Sequence, residues 1–213
     1  DISSIFTAAM IDPLPEKQRE FLAVMGLADE FTVEMAQDIM QTGDAAELLA
    51  ALTGQNAFVR RLPDGVTYRF HHMMKECALR VFLTLPQERR NDCRRRFGAW
   101  YEQHRQYLHA MQAYYQSGDY HALLRVVQQD AGILLSSLDP KNVLDFLDKC
   151  PEDTLKAHPA ALLVLMRSMF NWRRIPEMLR LKEQLLAAID ARPDMPGEER
   201  GNLRGECDLI MSF

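Results

Sequence analysis

Between Tyr68 and Phe82 the chain changes its apolar period in mid-course, and no other feature of the sequence constrains the fold as strongly. Up to Phe70, apolar and polar residues alternate as in a strand. After His71-His72, the apolar residues Met74, Ala78, Val81 and Phe82 return at helical spacing. A strand therefore runs directly into a helix. Upstream, Ala57 to Leu62 and Val66 to Phe70 flank Pro63-Asp64-Gly65, in which proline presets φ and Asp-Gly accepts turn geometry. The result is a β-hairpin feeding a helix. Helical segments precede it, and the order helix, helix, helix, hairpin, helix is that of a winged helix.

Those earlier segments are legible in turn. Ile5, Phe6, Ala9 and Met10 have helical spacing until Asp12-Pro13-Leu14-Pro15 interrupts them. A second helix starts after Pro15, buries Phe21, Leu22, Val24 and Met25, carries Glu16 and Glu20 near its positive end, and stops at Gly26. Thr32 is the N-cap of a short helix burying Val33, Ala36, Ile39 and Met40, and Asp44 caps the next, which buries Leu48, Leu49 and Leu52. In a DNA-binding winged helix this third helix of the module would enter the major groove. Here Asp44 to Gly54 contains no Lys or Arg, so a packing or interaction module is expected rather than a DNA reader.

Leu85-Pro86 breaks the chain before a longer helix, Gln87 to His104. Its arginines Arg89, Arg90, Arg94, Arg95 and Arg96 spread around the axis and flank an apolar arc of Cys93, Phe97, Trp100 and Tyr101. A solvated rim explains them better than a phosphate-binding stripe. Helices then alternate with turns. Tyr107 to Gln116 ends at Gly118, Asp119 caps a helix from Tyr120 to Leu135, and Asp139-Pro140, His158-Pro159 and Ile175-Pro176 open further helices. This spacing suits successive antiparallel hairpins. Ala110, Tyr114, Tyr115, Gly118 and Tyr120 loosely follow the small-aromatic pattern of tetratricopeptide hairpins. The fold class expected is mainly α: a winged-helix module with one β-hairpin over 1–84, then TPR-like antiparallel helical hairpins forming an α-superhelix over 85–213, truncated at the C-terminus.

Chemistry is sparse. His104 and His109 are five apart, wrong for one helix face, and no cysteine or carboxylate joins them at zinc-ligand spacing. None of the ten glycines sits in a phosphate-binding loop, and no nucleophile has a Gly-x-Ser-x-Gly or Cys/His setting. Gly197, Gly201 and Gly205 belong to a polar helix. No catalytic residue, metal site or enzyme activity is expected of this segment. The net charge of −5 carries no basic tail for nucleic acid, and the four scattered cysteines suit a reducing cytoplasm. The apolar run from Ala160 to Met166 is far shorter than the roughly 20 residues of a membrane span, so no membrane contact is expected. The start at Asp1, without an initiator Met or signal peptide, and the end at Phe213 inside an apolar run read as those of an internal fragment.

Tyr68-Arg69-Phe70-His71-His72-Met73-Met74, followed by the helix with Arg96-Phe97-Gly98-Ala99-Trp100-Tyr101-Glu102-Gln103-His104, resembles the maltose-regulator (MalT-like) branch of LuxR-type, ATP-dependent bacterial transcriptional regulators. Ala113, Ser117-Gly118-Asp119-Tyr120 and Leu144-Asp145-Phe146-Leu147 before Cys150-Pro151 extend the likeness over nearly the whole chain. It departs at Gly98, usually Ala, and at Met73-Met74, usually Leu-Phe. The resemblance implies a signal-transduction ATPase that uses ATP and ADP, with an upstream nucleotide-binding domain, a winged helix, a helical sensor for a small-molecule or protein effector, and DNA bound only by a further domain. It also implies that His71 contacts an ADP phosphate in the full-length protein. His72, the next residue along a strand end, should point to the opposite face. Two readings remain open: a relay and sensing segment of such a regulator, or a helical protein-interaction scaffold with no nucleotide-linked role.

Overall fold

The computed structural model describes residues 2–54 and 58–213. Ala57, expected in the first hairpin strand, and Asp1 lie outside the described residues. The chain divides into two units, Asp1–Trp100 and Tyr101–Phe213. The architecture is mainly helical with one small sheet, as the apolar periods require.

The first unit runs α1 (Ile2–Met10), α2 (Glu16–Met25), β1 (Phe31–Thr32), α3 (Val33–Met40), α4 (Ala45–Thr53), β2 (Val59–Arg61), β3 (Thr67–Phe70), α5 (His72–Thr84) and α6 (Gln87–Gln103) as far as Trp100. The turn between β2 and β3 forms as its residues dictate. Gly65 takes φ 74°, and the Asp64 carboxylate accepts from the backbone N–H groups of Val66 (3.0 Å) and Thr67 (2.9 Å). This pairs Val59 with Phe70, Arg60 with Arg69 and Arg61 with Tyr68. The sequence missed the third strand: β1, only two residues long, pairs Phe31 with Tyr68 and Thr32 with Thr67, making β3 the central strand. A two-residue strand shows no alternation, and its presence is decided by the long-range contacts of Phe31, whose ring lies 5.2 Å from Phe70 and 6.1 Å from Phe21.

Phe21, Phe31, Phe58 and Phe82 are fully buried, each removal from water being worth about 1.5–3 kcal/mol. Thr32 caps α3 as expected, its hydroxyl accepting from the Met35 N–H at 3.2 Å. Met35 rather than Val33 joins Ala36 and Ile39 in the core. Asp44 stands at the N-cap of α4 but its side chain makes no capping bond to that helix; its carboxylate accepts instead from Thr42 Oγ1 and from Lys17 Nζ, which hold it below the ordinary carboxylate pKa. Gly26 ends α2 against α5, where an added Cβ would stand 2.5 Å from Ala78 Cβ.

The second unit comprises the end of α6, then α7 (Tyr107–Ser117), α8 (Tyr120–Asp130), a 3-10 turn (Leu135–Ser137), α9 (Pro140–Lys149), α10 (Glu152–Lys156), α11 (Pro159–Asn171), α12 (Ile175–Asp190) and α13 (Gly197–Met211). Gly118 at φ 72° ends α7, and Asp119 caps α8 by accepting from the Ala122 N–H. With so short a link, α7 and α8 pack as an antiparallel hairpin. Asp139 caps α9, and Pro140, Pro159 and Pro176 occupy first-turn positions. One boundary differs from the sequence reading: α8 stops at Asp130, not Leu135. The buried Asp130 carboxylate accepts from the backbone N–H groups of Leu134 and Leu135, while Ala131 and Gly132 take positive φ. These bonds replace the helix ladder. α11, buried on nearly every face, packs against α8, α10, α12 and α13.

A polar cluster ties the first turns of this unit together. Glu102, largely buried, accepts from Arg125 Nε (2.7 Å), Arg125 Nη2 (2.8 Å) and Tyr114 Oη (2.8 Å). The Arg125 guanidinium, then the Tyr114 hydroxyl, hold the Glu102 carboxyl below its ordinary pKa. Burial, then the bond to Glu102, raises that of Tyr114.

Two outcomes follow for stability. Gly26→Ala should lower it by about 1–3 kcal/mol through overpacking against Ala78, read from the urea midpoint; an unchanged midpoint would show that the two helices can move apart freely. Glu102→Gln should cost about 1–3 kcal/mol at neutral pH. Because the folded Glu102 pKa is depressed, its contribution is complete above the ordinary value near 4.5 and is lost as pH falls through the folded value. The gap between wild type and Glu102→Gln in chemical denaturation should therefore close on acidification, and a gap that widens would contradict the assignment.

Candidate functional site

The solvent side of the β3–α5 junction is built by strand alternation. Phe70 points into the core, so Arg69 points out, and the hairpin register sets Arg60 directly opposite Arg69. Two like charges facing each other across a ladder cost stability. Arg69 is offset by Glu30, which pairs with it from the chain just before β1. Arg60 has no ion-pair partner among the described residues.

The backbone then turns into α5. His71 is its N-cap at φ −60° and ψ 144°; its N–H donates to Phe58 O at 3.2 Å and its carbonyl accepts from the Lys75 N–H at 2.9 Å. The His71 imidazole makes no capping bond to the helix and is exposed. His71, His72, Lys75, Arg60 and Arg69 line one open cavity of about 540 Å³, with Asp29 at its edge. Lys75 pairs with Asp29, and His72 Nε2 lies 3.2 Å from Glu76 Oε1. The first turn of α5 holds no acidic side chain, so the positive end of its dipole is not neutralised there.

The strand ends at Phe70 and His72 is already helical, so the two-residue alternation of a strand does not extend to this pair, and both residues line the same cavity. The sequence reading found the histidines and missed their cationic companions. A signal was available: pairing about the Pro63–Gly65 turn sets Arg60 against Arg69, and helical spacing places Lys75 one turn beyond His71. Chemically the cavity offers three permanent cations and two imidazoles against the carboxylates of Asp29 and Glu30. It is suited to hold a phosphate-like anion by charge-assisted hydrogen bonds.

The other sequence candidates fall elsewhere. The outer face of α4 presents Ala46, Glu47, Ala50 and Ala51, with no cation. The arginines of α6 are only partly a solvated rim. Arg94 lies 5.3 Å over the Phe82 ring, Arg96 donates to Ile39 O at 3.2 Å and pairs with Asp92, and Arg89 pairs with Glu20. Among the described residues no three of His, Cys, Asp and Glu are grouped to hold a metal, and no helix is long and apolar enough to cross a membrane. The four cysteines are free and buried, and burial pushes the Cys150 thiol up to about 11.

No curated protein and no solved structure shows significant similarity to the chain. Residues 7–91, the stretch from α1 into α6 that includes the β3–α5 junction, match the family model of the MalT winged helix domain.

Proposed function

We propose that this chain is the central regulatory and signal-relay segment of a cytoplasmic, bacterial LuxR/MalT-type transcriptional regulator. In this reading the winged helix folds back on an upstream nucleotide-binding domain, the TPR-like helical unit senses a small-molecule or protein effector, and DNA is bound by a domain beyond the segment. ATP hydrolysis belongs to the upstream domain. The observation that carries the proposal is the coincidence of a MalT-type winged helix with a cationic cavity at the end of its central strand.

Within that cavity His71 acts as a latch on ADP. An exposed imidazole at a helix N-terminus can donate an N–H to a phosphate oxygen, more strongly when protonated, and can release it when the domain swings away. Arg60, which has no ion-pair partner among the described residues, adds charge in the same cavity. A purely structural role for the cavity explains less, since an Arg–Arg cross-strand pair stabilises nothing by itself.

In the intact regulator, His71→Ala should weaken ADP retention by about ten- to a hundredfold, the loss of one charge-assisted hydrogen bond, and should raise inducer-independent transcription. Unchanged ADP affinity together with unchanged basal activity would remove His71 from the mechanism and favour a scaffold without nucleotide.

The acidic α4 predicts the second outcome. Fluorescence anisotropy of the 213-residue chain with duplex DNA at physiological salt should show no sequence-selective binding. Selective submicromolar binding would overturn the assignment of DNA recognition to another domain.

A further inference from the structure

The helical unit contains a cavity of about 300 Å³ bounded by α7, the 3-10 turn and α9, with α8 and α11 beneath. Its floor is Leu123, Val127, Val143, Phe146 and Leu165, all buried. Protein interiors are packed close to crystal density, and a void of this size lined by apolar atoms forfeits dispersion contacts that a better-filled core would keep. Its volume lies at the lower end of the roughly 300–1,000 Å³ typical of small-molecule sites. The wall formed by Leu135 and Leu138 exists because α8 stops at Asp130, whose buried carboxylate holds the following turn.

The polar part of the lining is uncharged. Gln112 and Gln116 come from successive turns of one face of α7 and Asn142 from α9; all three are exposed, and each amide offers donors and an acceptor. Tyr115 donates its hydroxyl proton to Asp145 Oδ2, and Lys149 pairs with that same carboxylate at 2.8 Å. The charge beside the cavity is therefore already matched. An ionised ligand would lose hydration here and gain no counter-ion.

We infer that this cavity binds a small uncharged molecule with an apolar body and hydrogen-bonding groups at one end, the body against Phe146 and Leu165 and the polar end among Gln112, Gln116 and Asn142. The inference narrows the effector-sensing role proposed for the helical unit and rests on that reading only for its regulatory meaning. Occupancy would fix α9 against α7 and the 3-10 turn, elements that otherwise meet across empty space.

The test uses two fluorescent probes with the same ring system on the 213-residue chain. Neutral N-phenyl-1-naphthylamine should saturate at one molecule per chain, and anionic 8-anilinonaphthalene-1-sulfonate should bind at least tenfold more weakly. Gln112→Trp and Asn142→Trp, both on exposed helix positions, should each weaken the neutral probe at least tenfold with unchanged circular dichroism. Lack of saturation, equal binding of the sulfonate, or wild-type affinity in both tryptophan variants would overturn the proposal. Probe binding is read on this chain alone and ADP retention in the intact regulator. Loss of the His71 effect with probe binding intact would thus sink the relay and leave the cavity, and the converse would do the opposite.

Discussion

The first unit depends on β3 being paired on both sides. A three-stranded sheet with strands of two, three and four residues has little ladder of its own, so its stability comes from what the central strand carries on its two faces. On the inner face Phe70 meets Phe31, Phe31 meets Phe21, and α2 and α5 close over them. On the outer face the same register collects Arg60, Arg69 and His71. A one-residue slip would exchange the faces, burying the arginines and exposing Phe70. The Asp64-Gly65 turn and the Phe31 contact exclude that slip, so one constraint fixes both the core and the charged cavity.

The second unit is arranged around α11 in a different way. Its run from Ala161 to Met166 is buried throughout, which an amphipathic surface helix could not tolerate, and the helices around it are correspondingly one-sided. The link between α8 and α9 departs from that simple scheme. A buried carboxylate without hydrogen bonds would be strongly unfavourable, and Asp130 avoids this by accepting from backbone N–H groups that the broken helix leaves open. The break costs helical hydrogen bonds and opens space between α7 and α9. Local polar chemistry therefore sets the shape of the apolar cavity.

Most helix boundaries were legible because their signals are local. Thr32, Gly118, Asp119, Asp139 and the first-turn prolines act within one turn of where they stand. The features that escaped depend on partners and burial that the apolar pattern does not show. β1 exists through Phe31 and Tyr68, the capping bond expected of Asp44 is lost to Thr42 and Lys17, and the end of α8 follows from a buried Asp130 that the apolar pattern alone does not mark. At the candidate site, the histidines announced themselves by standing where the period changes. Their cationic neighbours become visible only once the hairpin register is applied.

Arginine is used in two different ways in the first unit. In α6 three guanidinium groups find separate neighbours: Arg94 the Phe82 ring, Arg96 Asp92 and the Ile39 carbonyl, Arg89 Glu20. Such groups act as packing elements, their stems covering apolar surface while their heads meet a ring, a carbonyl or a carboxylate nearby. At the β3–α5 junction the charges instead converge. Arg60 and Arg69 face each other, the helix N-terminus adds its own partial charge, and the available carboxylates are taken by Arg69 and Lys75. Number of basic residues does not separate the two groups. What separates them is geometry: along α6 the guanidinium groups reach separate neighbours, whereas at the junction the charges line one cavity.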